Sequence, residues 1–586
     1  MKIRINRNSI WCKYFVEQLV KLGVKNVCVS PGSRSTPLTF AFALNRKLKI
    51  YSIVDERSCG FFALGISKST NSPVAIVTTS GTAVAELYPA IIEAYYQRIP
   101  LIICTADRPA YLQNRGSNQT INQNNIYINH IRYFANIGLP EITIKKYREL
   151  KNITSSALEV ATKNNVGPVH LNFSFVKPFE PKSYTDKVES SFIKKLYSVT
   201  GNRMSLKTET PNSIDITQKI KKYSKGLIIC GYGKYSKKDM AAIIKLSSSS
   251  RYPIIADGTS PLRFGTHNKN NIVNNFSTLI RSTEFLKKYD AEIILQFGGA
   301  QTSIQAVEFF QKSKAVKILI NSNGDKNDPT LTVNKFIKSK IENFCNPIIN
   351  NVKRNDSVWR KELIGYDRKL ENKKKEYFKN LPLTFEGKFA EILGNVIPDN
   401  SNVVISNSLP IRDVDFFTGC SQKKIHIFTN RGASGIDGIN STALGVAKGS
   451  KAQTVLITGD LAFYHDLNGL HNSLKYKIPL TVILINNNGG GIFQSLPISN
   501  YKNVFNKYFL TPLNLNFKNF VEAYGGKFYR VKTEKDFVIK LIKSIKNKKL
   551  NVLEIITDSK KSKIIRNKYW QTTSKLINSI IDEAKG

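Results

Sequence analysis

The chain has 586 residues, 41% hydrophobic and 10% aromatic, which is enough for three or four domain cores and too apolar for a disordered chain. No apolar run reaches the ~18 residues of a membrane span, and the basic N-terminus scatters its apolar residues among Lys, Glu and Gln, so no membrane partner and no signal peptide are expected and the cytoplasm is the expected location. A formal charge of +44 could suit nucleic acid, but the lysines run along the whole chain with Asn and Ile, without a zinc finger, an aromatic RNA-binding motif or an arginine-rich arm, so no nucleic-acid partner is expected.

The seven cysteines are odd in number and never form a C-x-x-C pair, which points away from disulfides and from zinc. In chain order, Ser9 is placed to cap a first helix through Trp11, Phe15, Leu19 and Leu22 that ends at Gly23. Strands follow at 27–30, 49–54, 74–78 and 101–104, each ending in a polar loop and leading into a helix. This strand–loop–helix alternation predicts a parallel sheet with function at its C-terminal edge, in loops 31–37, 55–58, 79–82 and 105–119. Residues 167–172 read as that domain's last strand, and the Pro-, Lys- and Ser-rich stretch from about 177 to 212 as a linker.

A second alternation, with strands at 226–230, 252–256, 292–297 and 316–320, has few acids at strand ends and suggests a structural or substrate-gating domain. Residues 353–379 read as a solvated linking helix. A third alternation has strands at 402–405, 425–428, 454–458, 480–485 and 552–556. The fold class is thus α/β with three doubly wound parallel-sheet domains, at 1–182, 195–350 and 380–586.

Strand 454–458 stops at Gly459-Asp460, and strand 480–485 at Asn486-Asn487-Asn488-Gly489-Gly490. The 27 residues from Asp460 to Asn487 suffice for one crossover helix, which would set both loops side by side. A carboxylate, an amide oxygen and a bare glycine carbonyl suit a hard divalent cation such as Mg²⁺. The same spacing resembles the diphosphate–metal motif of thiamine-diphosphate enzymes.

More specific is a set of segments: SPGSRSTPL (30–38), DERSCGFFALG (55–65), TSGTAVAELYPAIIEA (79–94), TADRP (105–109), SNQ (117–119), GPVHLN (167–172), SNSLPIR (406–412) and NRGASGIDG (430–438). With the metal motif, they resemble the SEPHCHC synthases of menaquinone biosynthesis, a thiamine-diphosphate-dependent family. The resemblance covers both outer domains; the middle one is similar in layout only. It implies decarboxylation of 2-oxoglutarate and 1,4-addition of the succinyl unit to isochorismate, with thiamine diphosphate and Mg²⁺ (or Mn²⁺) as cofactors. It also implies a homodimer or dimer of dimers, each site shared between the first domain of one copy and the third of another.

By the same resemblance, Glu56 is the catalytic carboxyl against the cofactor's pyrimidine. Asp460, Asn487 and the Gly489 carbonyl are metal ligands, Ser408 holds the diphosphate, Ile436 props the cofactor and Phe493 lines an apolar wall. Ser33, Arg34, Arg108, Asn118, Gln119, Arg412 and Arg431 are the substrate-binding candidates, because guanidinium forks suit carboxylates. One departure is Ile304, which stands where the family commonly carries a lysine. Two other readings stay open: an acetolactate-synthase-like ligase or decarboxylase, and a non-catalytic basic binding protein.

Overall fold

The apolar runs become three six-stranded sheets in the computed structural model, which describes residues 2–197 and 214–583. The chain opens with β1 (Lys2–Ile5). A first sheet then takes β2 (Asn26–Val29), β3 (Lys49–Ser52), β4 (Val74–Thr78), β5 (Leu101–Asp107), β6 (Tyr133–Gly138) and β7 (Val169–Ser174), and β8 (Asp186–Glu189) pairs antiparallel with β1. Its spatial order is β3-β2-β4-β5-β7-β6, in parallel ladders. Every residue of β4, β5 and β7 is buried, which requires helices on both faces of the sheet.

The central sheet contains β9 (Gly226–Cys230), β10 (Ile254–Ala256), β11 (Ile272–Val273), β12 (Ile293–Phe297), β13 (Val316–Asn321) and β14 (Lys335–Lys338), in the order β11-β10-β9-β12-β13-β14. The third contains β15 (Ser401–Ile405), β16 (Ile425–Thr429), β17 (Thr454–Gly459), β18 (Leu480–Asn486), β19 (Lys527–Val531) and β20 (Leu550–Ile556), in the order β16-β15-β17-β18-β20-β19. First and third sheets therefore share one topology, since each counts second, first, third, fourth, sixth, fifth in chain order. The likeness expected in layout alone extends to strand order, and the central sheet differs from both.

By contact density the described residues form two units. One gathers those of Met1–Lys207 with Asn430–Lys451 and Tyr464–Leu480; the other gathers those of Thr208–Thr429, Ala452–Phe463 and Thr481–Gly586. Two crossover segments of the third sheet thus belong to the first unit.

Several expectations are corrected. The first helix, Arg7–Lys21, is capped by Asn6, whose side chain accepts the Ser9 N–H at 3.0 Å; Ser9 lies inside the helix. The stretch 177–212 is not all linker. It contains β8 and the helix Ser190–Tyr197, whose Phe192, Ile193 and Leu196 pack onto the first core; its part from 198 lies outside the described residues. Strand β5 runs on to Asp107, so Thr105 and Ala106 belong to the sheet. The charged helix Val358–Lys379 is solvated on one side only, because Leu363, Ile364, Tyr366, Leu370 and Phe378 are buried.

Candidate cofactor and substrate site

In the first unit three strand-end loops converge at the C-terminal edge of the sheet. A Cβ on Gly32 would lie 2.3 Å from Thr79 Cβ, and one on Gly81 would lie 3.3 Å from Gln119, so these glycines are what let loops 31–37, 79–82 and 105–119 approach. Arg108 bridges two of them, donating to Ser80 Oγ (2.9 Å) and to the Gln119 carbonyl (3.0 Å). Arg34 donates to the Phe175 carbonyl at 2.8 Å. Burial, then the nearby Arg108 charge, push the Arg34 guanidinium below its usual range. Two guanidinium groups that repel each other at a sheet edge suit an anion. Ser33, Asn118 and Gln119 are exposed on the same loops. Beneath them Asp107 accepts the Arg108 N–H (2.7 Å) and the Asn172 amide (2.8 Å), and Gln123 ties the Gly81 N–H to Asn172.

Glu56 is the first residue of the helix Glu56–Thr70, whose cap is Asp55 accepting the Ser58 N–H at 2.8 Å. A helix N-terminus ordinarily lowers a carboxyl. Here burial, then Asp55 and Glu86, outweigh the Glu56 N–H and raise Glu56. This helix packs closely on the helix Ile439–Gly449 of the same unit, and a Cβ on Gly65 would lie 2.1 Å from the Thr442 carbonyl oxygen.

Arg431 and Ile436 occupy the loop just before that second helix, both partly buried. The buried Glu93 fastens the loop, accepting the Gly432 N–H at 2.8 Å and the Ala433 N–H at 2.7 Å. Lys68 donates to Asn430 Oδ1 at 2.6 Å, and its own burial pushes it down to about 8.

The metal-motif loops lie in the second unit. Strand β17 ends at Gly459, and Asp460 opens a helical segment, 2% exposed. Its carboxylate accepts the Gly489 N–H at 2.7 Å and the Leu461 N–H at 2.8 Å, so the two strand-end loops meet as their spacing predicted. Burial pushes Asp460 up to about 6 against these backbone donors. Gly489 has φ +137°, and a Cβ there would fall 2.0 Å from the Leu510 carbonyl oxygen, so only glycine fits. Its own carbonyl accepts the Gly491 N–H at 2.9 Å.

Asn487 donates through Nδ2 to Glu386 at 2.7 Å, while its Oδ1 is buried without a hydrogen-bond partner. An orphaned amide oxygen on the loop that binds a buried carboxylate is the donor set a diphosphate-bound divalent cation needs, so the residues fit the expected group.

Ser408 adopts φ 73°, ψ −132°, a strained backbone for a non-glycine residue, and heads the helix Leu409–Phe417; its carbonyl accepts from Arg412 at 2.6 Å. Phe493 follows the glycine turn and meets Phe509 edge-on, ring centroids 5.9 Å apart. Ile304 is exposed in the first turn of the helix after β12.

Lys68, Glu93, Gln123, Glu386, Asp413 and Arg566 were not singled out by the sequence. Glu93 lies inside a quoted segment, but nothing local marked it, because its partners sit more than 300 residues away.

Family models match along the chain: "Thiamine pyrophosphate enzyme, N-terminal TPP binding domain" at residues 12–126, "Middle domain of thiamine pyrophosphate" at 202–405, and "Thiamine pyrophosphate enzyme, C-terminal TPP binding domain" at 418–555. The chain therefore has the domains of the thiamine pyrophosphate enzymes, and the middle region, expected to be similar in layout alone, is matched as well. Among curated relatives, the 2-succinyl-5-enolpyruvyl-6-hydroxy-3-cyclohexene-1-carboxylate synthase of Bacillus cytotoxicus is 36% identical over 97% of both chains. Those of Geobacillus kaustophilus and Haloquadratum walsbyi are each 33% identical over 98% of this chain and 99% of their own. Of solved structures, the thiamine diphosphate-dependent 4-hydroxybenzoylformate decarboxylase of Rhodococcus jostii RHA1 covers 94% of this chain and 99% of its own at a TM-score of 0.68; at 13% identity it speaks for the fold alone. The chain belongs to the 2-succinyl-5-enolpyruvyl-6-hydroxy-3-cyclohexene-1-carboxylate (SEPHCHC) synthase family.

Proposed function

We propose that the protein decarboxylates 2-oxoglutarate and adds the remaining succinyl unit to isochorismate, forming SEPHCHC and CO₂ for menaquinone synthesis. The bond from the keto carbon to C1 breaks, a bond to ring carbon 2 forms, and a proton reaches ring carbon 1, so one of the two ring double bonds is lost. Thiamine diphosphate, when bound, supplies the electron sink that decarboxylation needs. One observation carries the cofactor half of this reading: the buried Asn487 Oδ1 without a partner, on the loop fastened to Asp460.

Asp460, Asn487 and the free side of the Gly489 carbonyl would hold Mg²⁺ or Mn²⁺, and Ser408 at its helix start would face the diphosphate. Glu56, with its raised proton affinity, would share a proton with the pyrimidine nitrogen. Ile436 would support the cofactor, and Phe493 would keep water from the reacting carbon. Both substrates are dicarboxylates, and Arg34, Arg108, Arg412 and Arg431, with Ser33, Asn118 and Gln119, would bind them. The exposed Ile304 offers no charge to either. The minimum functional unit is a homodimer, alone or in a dimer of dimers, in which first-domain residues of one copy face third-domain residues of another, and the expected location is the cytoplasm. Among the described residues no helix is long and apolar enough to cross a membrane.

A donor-by-acceptor matrix with products identified by mass spectrometry tests the reading. 2-Oxoglutarate with isochorismate should outperform pyruvate, which lacks the distal carboxylate, and neutral aldehyde acceptors. Arg412→Ala and Arg431→Ala should each weaken substrate capture about ten- to over a hundredfold, through roughly 1.5–3 kcal/mol per charge-assisted bond, and leave thiamine diphosphate binding largely alone. Pyruvate outperforming 2-oxoglutarate would move the protein to the acetolactate-synthase-like reading.

A further inference from the structure

Behind the metal-motif loop lies a buried chain of polar side chains that no sequence motif announced. Asn487 Nδ2 donates to Glu386 Oε1 at 2.7 Å, and Glu386 Oε2 accepts from both terminal nitrogens of Arg566 at 3.2 Å each. Arg566 also donates to Asp413 on the helix headed by Ser408, at 2.8–3.1 Å. Glu386 and Asp413 are each 1% exposed. Glu386, Asp413 and Arg566 come from three separate parts of the chain: the loop before the helix Lys388–Val396, the helix Leu409–Phe417, and the C-terminal helix Ser559–Glu583.

An asparagine amide is nearly symmetric in shape, so packing alone cannot decide which end faces a ligand. Hydrogen bonding can. An ionised carboxylate only accepts, so it admits the NH₂ end of Asn487 and rejects the oxygen. The other end, Oδ1, then points away from Glu386 and is the atom that lacks a partner. Space is kept for this pose as well, since a Cβ on Gly491 would strike Asn487 Nδ2 at 2.3 Å. Arg566 sets its guanidinium against this buried carboxylate, and Asp413 shares that cation.

We propose that Glu386 is a positioning residue for the cation site: backed by Arg566 and Asp413, it fixes the Asn487 amide with its oxygen toward the metal. The inference rests on the metal reading above and deepens it. It also links the cation loop to the helix headed by Ser408, so both sides of the diphosphate would be set by one buried network.

The test is a Mn²⁺ titration of the full-length protein, with and without thiamine diphosphate, following the free ion by electron paramagnetic resonance. Glu386→Ala should weaken Mn²⁺ about 10–100-fold, as loss of a partner behind a metal ligand does. The decisive arm reverses the pair. Asn487→Asp sets two carboxylates against each other and should weaken Mn²⁺ at least about tenfold. Adding Glu386→Gln gives the introduced carboxylate a donor again, leaves one of its oxygens toward the cation, and should bring affinity back to within a few-fold of wild type. A residue that only fills space would show no such rescue. Should Glu386→Ala not fold, this double variant decides. Asp460→Ala separates the two readings: wild-type Mn²⁺ affinity there overturns the metal reading and the inference with it. Loss in Asp460→Ala, with none in Glu386→Ala or no recovery in the double variant, overturns the inference alone.

Discussion

The close approach of the Glu56 helix to the helix Ile439–Gly449 makes Gly65→Ala an informative perturbation. The added methyl would sit 2.1 Å from Thr442 O, 2.8 Å from Val446 N and 2.9 Å from Gly445 Cα. All three are backbone atoms that no side-chain rotation can clear. Restoring an ordinary contact of about 3.4 Å would require the helices to part by about 1.3 Å. Overpacking of this kind costs roughly 1–3 kcal/mol, against about 1 kcal/mol gained from replacing glycine by alanine in a helix. A net loss of up to about 2 kcal/mol is expected. For a unit of roughly 250 residues that is a fall of up to about 8 °C in melting temperature. Gly365→Ala is the control: it lies mid-helix in Val358–Lys379 with no atom within 4 Å of its new Cβ, and should melt unchanged or slightly higher. Function should fall more steeply than stability, because Glu56 begins the displaced helix and a shift near 1 Å at a reacting group can cost about a hundredfold. The assays are thermal unfolding by circular dichroism and turnover under identical buffer. Gly65→Ala matching wild type in both would refute the argument.

Glu56→Gln should still bind thiamine diphosphate but lose exchange of the thiazolium C2 proton and turnover by about 10²–10⁴-fold; near-normal exchange, read by NMR, would return Glu56 to a surface charge. Mixing Glu56→Gln with Asp460→Ala should recover part of the activity if each site is shared between copies, whereas silence after demonstrated subunit exchange would favour a site within one chain. Asp466 is pushed by burial up to about 6 from the ordinary 3.8, so the folded protein keeps a proton that the unfolded chain releases. Stability should therefore fall as pH rises from about 4 to 6, by up to ~3 kcal/mol from this residue. Asp466→Asn should remove that component, and melting curves for the two proteins that stay parallel across this window would contradict it.

What the sequence made legible follows burial. Strands such as Val74–Thr78 and Gly226–Cys230 are apolar throughout because both faces are covered, and they were found residue for residue. The strands missed in the three six-stranded sheets, β6, β11, β14 and β19, all lie at sheet edges, and the missed β1 and β8 pair only with each other. An edge strand is half-wet and short; Lys335–Lys338 reads KFIK and Ile272–Val273 has two residues, so neither offers a run to detect. The candidate site divides in the same way. Asp460 and Asn487 could be paired from spacing because one crossover separates them. Glu386 could not, because its partners Asn487 and Arg566 lie 101 and 180 residues away and meet it only in the folded chain. The cap on the first helix failed for a local reason: Asn6 and Ser9 are both capping residues, and only the backbone says which one lies outside the helix.

The chain carries 87 basic residues against 43 acidic ones, yet the acids organise the candidate site. A surface lysine is well solvated, and most changes there move stability by less than about 0.5 kcal/mol, so lysines can accumulate without altering the fold. A buried carboxylate has no such freedom. It accepts hydrogen bonds and donates none, so it dictates the orientation of whatever surrounds it. Glu93 turns the Gly432 and Ala433 N–H groups inward and so shapes the loop that carries Arg431 and Ile436. Asp107 anchors the backbone of Arg108. Asp460 draws in the Gly489 N–H, and Glu386 fixes the Asn487 amide. Each holds a loop from which a candidate ligand or substrate residue projects. Losing a buried acceptor costs roughly 1–3 kcal/mol and frees the loop as well. The basic excess therefore says little about what the protein does, while the few acids inside it mark where its chemistry is held.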